Sequence, residues 1–292
     1  NGYSGEELCS ILARHPGVRV VAITSRQHAG KQAGEVLPRL AGVGDFSKLI
    51  FTEPTIDALL QCGAEFFFLA LPHGLATEFA VPLHRAGKRV IDLSADFRLR
   101  DAATYQDFYN EAHPAPQLLQ EAVYGLPELH RAEIQSAKLV GSAGCYPTSI
   151  LLPLVPLLRQ KLIDPAEIIV SSASGVSGAG RKAETALLYG ECNESLRAYG
   201  LPKHRHLSEI EQELSLAAGR QVVISFTPHL PSKAGAVREI ATETSVRSAS
   251  RQSGHAFISG NVGSTDAQPP ARRQRSRHNT PRNRAVSPST AA

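Results

Sequence analysis

The sequence predicts an α/β protein: a doubly wound parallel sheet, followed by a second α/β layer that carries a mixed sheet. Three observations carry this. Short apolar strands alternate with helical patterns over roughly the first half of the chain, the signature of βαβ units. After Asp164 the texture changes to a longer strand, a Gly/Ser-rich loop, a helix and another strand. Hydrophobic residues at 42% and charged residues at 20% fit a globular protein rather than a fibrous or disordered one.

The elements follow in order. Residues 5–14 (GEELCSILAR) place Leu8, Ile11 and Leu12 at helical spacing behind an acidic first turn. Gly17 breaks that pattern, and Val18 to Thr24 reads as a buried strand. Glu65–Leu71 and Arg89–Leu93 are two further apolar strands, with Leu75–Ala86 fitting a helix between them. A strand at Lys138–Gly141 leads into a helix over about Ile150–Leu162. Beyond Asp164 come the strand Glu167–Ala173, the helix Leu207–Leu216 and the strand Gln221–Phe226. Three regions are therefore expected: 1–144 as the doubly wound domain, 145–246 as the second α/β domain, and 247–292 as a disordered basic tail rich in Pro, Ser and Arg.

The charge divides along the same line. The chain of 292 residues carries a formal net charge of +4, but the stretch from Arg247 to Ala292 holds eight arginines and one acid, Asp266. The body is thus slightly acidic, which weakens a nucleic-acid reading. Phe257 is the lone aromatic residue of the tail, so base stacking would be nearly absent. No apolar run approaches the roughly 18 residues of a membrane span. Cys9, Cys62, Cys145 and Cys192 are widely spaced without a C-x-x-C, so neither a disulfide framework nor a metal site is expected. The cytoplasm is the expected compartment. The sequence has no Met and begins at Asn1, so the natural start is expected upstream.

Six segments are candidates for chemistry. Gly2-Tyr3-Ser4-Gly5 opens the first helix, where glycines let a backbone approach a pyrophosphate and helix N–H groups face it. Ser25 and Arg26 follow the next strand, where a dinucleotide fold reads the adenosine ribose. A serine and an arginine there suit a 2′-phosphate, hence NADP, where an acid would suit NAD. In Ser142-Ala143-Gly144-Cys145-Tyr146-Pro147-Thr148 a strand ends, a glycine turns the chain and a cysteine stands at a helix start. That setting lowers a thiol pKa and suits a nucleophile. The glycine-rich loop Ser174–Arg181 offers Arg181 as an anion ligand. Lys203-His204-Arg205-His206 supplies positive or titratable groups for an anionic substrate and for proton transfer. His229, in Phe226-Thr227-Pro228-His229, either joins the same cleft or caps the sheet.

Taken together, these segments resemble the N-acetyl-gamma-glutamyl-phosphate reductase family from Gly2 to about Leu230. The resemblance rests on GYSGEEL at 2–8, SR at 25–26, LPHG at 71–74, IDLSADFRL at 91–99, VYGLPEL at 123–129, GCYPTS at 144–149, SGVSGAGR at 174–181, HRHLSEIEQ at 204–212 and FTPHL at 226–230. It implies a Rossmann-type domain fused to an α+β catalytic domain of the glyceraldehyde-phosphate-dehydrogenase type. It also implies a soluble homo-oligomer, dimeric or tetrameric, that uses NADPH to reduce an acyl phosphate through a thioacyl enzyme on Cys145 and releases inorganic phosphate. By the same resemblance His204 is the acid/base, with His206 second. Arg98, Arg181 and His204 contact substrate, while Ser177 and Gly178 join Gly2, Tyr3, Ser4, Gly5, Ser25 and Arg26 at the cofactor. Ser142-Ala143 replaces the family's usual Asn-Pro, PSKAGAVREI at 231–240 is a loose echo of a proline and Arg-Gly segment, and the closing segment of the family is not visible. The chain is thus expected to be incomplete at its N-terminus and aberrant at its C-terminus. Alternatives are a lysine-pathway aminoadipyl-phosphate reductase, an aspartate-semialdehyde dehydrogenase-like enzyme, or an inactive remnant with a tail that adheres to nucleic acid.

Overall fold

The computed structural model describes residues 2–231, 242–250 and 254–262. Helix α1 (Tyr3–Arg14) opens on Gly2, whose backbone is extended at φ −80° and ψ 167° and which offers no side-chain cap. Strand β1 (Ile23–Thr24), helix α2 (Ala33–Val36) and strand β2 (Phe51–Thr52) follow, and β1 and β2 pair in parallel. Ile23, Leu37, Leu40, Phe46 and Phe51 form a small core beside them. The strand expected over Val18–Thr24 is ladder-paired only at Ile23 and Thr24, and Val18 is 41% exposed. An apolar run becomes a strand only where a second backbone meets it, and β2 matches just two residues.

Helix α3 (Ile56–Gln61) is capped by Thr55, whose hydroxyl accepts the Ala58 N–H at 3.3 Å. Then come β3 (Phe66–Leu69), α4 (Ala76–Arg85), β4 (Arg89–Asp92), α5 (Ala102–Tyr109), β5 (Val123–Gly125), α6 (Pro127–Ser136) and β6 (Leu139–Ser142). The four strands form one sheet in the order β3-β4-β6-β5, and every pair is parallel. Helices cross between them, as the alternating pattern predicts. Phe67, Leu69, Val90 and Leu139 from the sheet pack with Phe79, Ala80 and Leu83 of α4.

The second layer begins with α7 (Cys145–Arg159) and continues through β7 (Ile163–Ser174), α8 (Tyr189–Cys192), β8 (Leu196–Ala198), α9 (His206–Ala218), β9 (Ile224–Pro231), β10 (Thr242–Ser250) and β11 (Gly254–Val262). Its sheet runs β11-β10-β7-β9-β8, with β7 and β9 parallel and the other neighbours antiparallel. The expected mixed sheet is there. Helices α7 and α9 pack on it through Ile150, Leu154, Leu158, Ile210 and Leu214, against Val170, Ile224 and Phe226. Helix α7 starts five residues before the Ile150 of the sequence reading, because Gly144 is extended and Pro147 fits a first turn that needs no N–H from it.

One expectation needs correction. Strands β10 and β11 continue the sheet through the boundary placed at 246, so residues 247–250 and 254–262 are paired strand rather than disordered tail. The remaining tail residues, and 232–241 with most of the PSKAGAVREI segment, lie outside the described residues. Among the described residues no helix is long and apolar enough to cross a membrane.

Candidate active site

The site is built where the two layers meet. Strand β6 ends at Ser142, Ala143 and Gly144 turn the chain, and Cys145 begins α7. Thr148 secures the turn by donating its hydroxyl to the Gly144 carbonyl at 2.8 Å. A side chain at Gly144 has no room: a Cβ there would stand 2.8 Å from His206 Nε2 and 2.9 Å from Arg98 Nη1. An imidazole and a guanidinium therefore press directly on the turn that presents the cysteine.

The thiol itself departs from the sequence expectation. The helix start was expected to lower its pKa, but burial pushes the Cys145 thiol up. The N–H of Tyr146 and the Arg98 cation pull the other way without prevailing. Burial therefore favours the neutral thiol, and a nucleophile in that state would need a base.

Two histidines precede or open α9, and the structure separates their settings. His206 is the first residue of α9, buried, and kept neutral by that burial and then by the nearby Arg98 charge. Its Nδ1 has no hydrogen-bond partner among the described residues. His204 lies in an aromatic box, its ring 5.5 Å from Tyr146, 5.5 Å from Tyr199 and 5.7 Å from Phe226. Its Nδ1 accepts the His206 N–H at 3.1 Å, and burial, then Arg205, pushes its pKa down to about 4. Tyr199 donates to the Tyr146 hydroxyl at 3.0 Å, which donates to the His229 carbonyl at 3.0 Å. The His229 ring is turned instead to Ser171, at 3.3 Å.

Arg98 is expected at the substrate but sits behind the turn. Its side chain is 10% exposed; Nη2 donates to the Leu93 carbonyl at 3.1 Å and Nη1 reaches Glu209 Oε2 at 3.4 Å. Glu209, on α9, is buried, and its Oε1 accepts the Tyr124 hydroxyl at 2.7 Å and the Gly144 N–H at 2.9 Å. Sequence reasoning passed over Glu209, Tyr124, Tyr146 and Tyr199. For Glu209 a signal existed: it stands three residues after His206, hence on the same helix face.

The expected cofactor residues lie on three other segments, of which the structure joins the start of α1 to the loop after β7. Gly2, Tyr3, Ser4 and Gly5 form the open start of α1, and Gly5 approaches Ala70 after β3, 3.6 Å from a Cβ built there. Ser25 and Arg26 follow β1; Arg26 is two-thirds exposed and 3.6 Å from Glu78. In the loop after β7, Gly178 leaves room for the Ser174 hydroxyl, which a Cβ there would meet at 2.5 Å, and Ser177 adjoins it. Arg181 ends that loop. It pairs with Glu6 and lies over the Tyr3 ring at 4.8 Å, so it joins the start of α1 instead of the cysteine turn.

Comparison with known proteins fits this geometry. A family model described as the NAD binding domain of semialdehyde dehydrogenase matches residues 1–137, and one described as its dimerisation domain matches 145–258. A protein named N-acetyl-gamma-glutamyl-phosphate reductase from Akkermansia muciniphila is 58% identical over 230 residues, covering 79% of this chain and 66% of its own length. One of the same name from Moorella thermoacetica is 48% identical over 251 residues, covering 86% of this chain and 71% of its own. The chain spans about two thirds of the length of these relatives. Among solved structures, aspartate semialdehyde dehydrogenase with NADP from Candida albicans superposes with a TM-score of 0.57 at 12% identity, covering 87% of this chain and 70% of that one. Aspartate semialdehyde dehydrogenase II from Vibrio cholerae gives 0.58 at 15%, covering 86% and 72%. At such identities the likeness is of fold alone.

Proposed function

The chain belongs to the N-acetyl-gamma-glutamyl-phosphate reductase family, and from that premise we propose that it reduces N-acetyl-L-glutamyl 5-phosphate to N-acetyl-L-glutamate 5-semialdehyde with NADPH, releasing phosphate. One observation carries the chemistry: His206 Nε2 and Arg98 Nη1 fill the space where Gly144 has no side chain, so a neutral imidazole and a cation border the cysteine turn.

In this reading His206 takes the proton from Cys145 Sγ as the sulfur attacks the acyl carbon. Phosphate leaves, and the acyl group is held as a thioester on Cys145. NADPH, when bound, supplies the hydride. His206 then gives a proton to the oxygen as the hydride arrives, and on collapse of the thiohemiacetal that proton returns through His206 to the departing Cys145 sulfur, which frees the semialdehyde and restores the thiol. The role passes from His204, the first choice of the sequence reading, to His206. His204 holds the backbone of His206 in place from inside its aromatic box. Arg98 serves the charge at Cys145 rather than the substrate.

The residues fit the cofactor. Gly2 leaves the α1 N–H groups uncapped for a pyrophosphate, and the exposed Arg26 beside Ser25 suits a 2′-phosphate. Ser177 and Gly178 sit in the loop whose Arg181 meets Tyr3 and Glu6, which supports a cofactor-side place for that loop. Assembly as a homodimer or homotetramer fits the match to a dimerisation domain. A soluble, cytoplasmic enzyme without specific nucleic-acid binding completes this reading. The shared name of the relatives favours N-acetylglutamyl phosphate over the lysine-pathway and aspartyl substrates.

The test is NADP-dependent oxidation of N-acetylglutamate semialdehyde in phosphate, for the wild type and Cys145→Ser. Turnover is expected in the first and a loss of at least about 10³-fold in the second. Activity that survives the substitution overturns the assignment.

A further inference from the structure

Glu209 is 1% exposed, and a buried carboxylate is tolerated only when it is paired and hydrogen-bonded. Its partners come from three separate segments. Oε1 accepts the Tyr124 hydroxyl from β5 and the Gly144 N–H from the nucleophile turn, while Oε2 faces Arg98 from the loop after β4. Glu209 itself rides one turn behind His206 on α9. A single carboxylate thus ties together the nucleophile turn, the cation behind it and the helix that carries the acid/base.

We propose that Glu209 is the positioning residue of the nucleophile turn: it fixes Gly144 and Arg98 in place and balances the Arg98 charge beside Cys145. The proposal rests on Cys145 being the nucleophile. Two features support it. Arg98 Nε is buried with no hydrogen-bond partner among the described residues, so the ends of the guanidinium alone hold it, one of them on Glu209. The two charges also act on Cys145 in opposite senses, Arg98 favouring the thiolate and Glu209 opposing it. Around Cys145 and its charge pair stand Arg98 from the loop after β4, with Asp92, Tyr109 and Tyr124 acting on it, and Tyr146 on α7 and Tyr199 after β8. His204, Arg205, His206 and Glu209 complete the ring from α9 and its start. With both imidazoles held neutral by burial, Arg98, Arg205, Glu209 and, above about pH 6, Asp92 behind Arg98 are the charges that remain, and Asp92 is common to every protein compared.

The experiment reads the thiol directly. Carboxamidomethylation of Cys145 by iodoacetamide is followed against pH by mass spectrometry in the wild type, Glu209→Gln, Glu209→Asp and Tyr124→Phe, beside steady-state kinetics. Glu209→Gln removes the opposing charge, so the alkylation midpoint moves down by about one unit and alkylation at pH 7 is about tenfold faster, although kcat falls with KM little changed. Glu209→Asp keeps the charge on a shorter arm: the midpoint stays near that of the wild type while kcat still falls. A folded Glu209→Gln protein that alkylates at the wild-type midpoint, or above it, overturns the proposal. Should the variants at 209 not fold, Tyr124→Phe decides. It deletes only a hydroxyl that shares the carboxylate's charge, so alkylation at pH 7 slows about twofold; an unchanged or faster rate overturns the proposal. Reductase activity absent from every protein, with these shifts present, defeats the functional reading and leaves the charge balance standing.

Discussion

A methyl group at position 144 would collide with two side chains of the candidate site at once, because its carbon would fall within 3 Å of both His206 Nε2 and Arg98 Nη1. Gly144→Ala must therefore displace the imidazole, the guanidinium or the turn. Its kcat is expected to fall about 10²-fold or more, with NADPH affinity, measured by fluorescence titration, close to that of the wild type. The histidines can be separated the same way. His206→Gln is expected to lose about 10²–10⁴-fold in kcat as the general acid/base, and His204→Gln distinctly less, since His204 touches the site through the His206 backbone. Equal losses in both variants would return the role to His204. Cys145 and the histidine pair were legible in the sequence because a glycine and a helix start announce them. Glu209 offered only its spacing from His206, because a carboxylate on an amphipathic helix reads as solvent-facing until the partner that buries it, the turn 65 residues earlier, is in place.

Helices α1, α4, α7 and α9 were legible for a local reason, their apolar spacing, and α5, which the sequence reading passed over, carries a cap that is just as local. Asp101 shows how little distance is needed. It caps α5 by accepting the Ala103 and Thr104 N–H groups at 3.3 and 2.8 Å and the Thr104 hydroxyl at 2.7 Å. Asp101→Ala is expected to cost about 1 kcal/mol, which in a domain of this size lowers the melting temperature by roughly 2–4 °C; an unchanged melting temperature would show the cap to be idle. Strands obey a different rule. Strand β10 reads TETSVRSAS, with no apolar run to mark it, yet it pairs with β7 along most of its length and with β11 along all of it. Strand β1 is the converse, an apolar run with two paired residues. Strand identity is decided by the partner backbone, which a single sequence does not display.

At the scale of the whole molecule the two layers meet through ionisable groups, so stability should bend with pH in a predictable way. Helix α9 presents Glu209 to Arg98, Glu213 to His130 at 3.1 Å and Gln212 to the Arg98 carbonyl at 3.1 Å. Behind Arg98 lies Asp92, fully buried at the end of β4, accepting the Ser94 N–H at 2.9 Å and its hydroxyl at 2.7 Å. Burial raises its pKa to about 6, against the pull of those bonds. The folded value thus lies above the unfolded value of about 3.9. The stability Asp92 contributes is therefore complete below the unfolded value and is lost as pH rises through about 6. The buried histidines act in the opposite sense. Their folded values are depressed, so their contribution is present above about 6.5 and is lost as pH falls. The two trends overlap in the wild type, and a single stability curve will not separate them. A difference curve will. Urea unfolding of wild type and Asp92→Asn at several values between pH 4 and pH 7.5 isolates the carboxyl, because the histidines are common to both proteins. The variant gives up an acceptor to Ser94 and is expected to be the less stable at pH 4. Its stability relative to the wild type should then rise with pH by up to roughly 3 kcal/mol, the free-energy equivalent of a two-unit shift. A difference that stays flat across this range would mean that Asp92 ionises as freely in the folded chain as in the unfolded one.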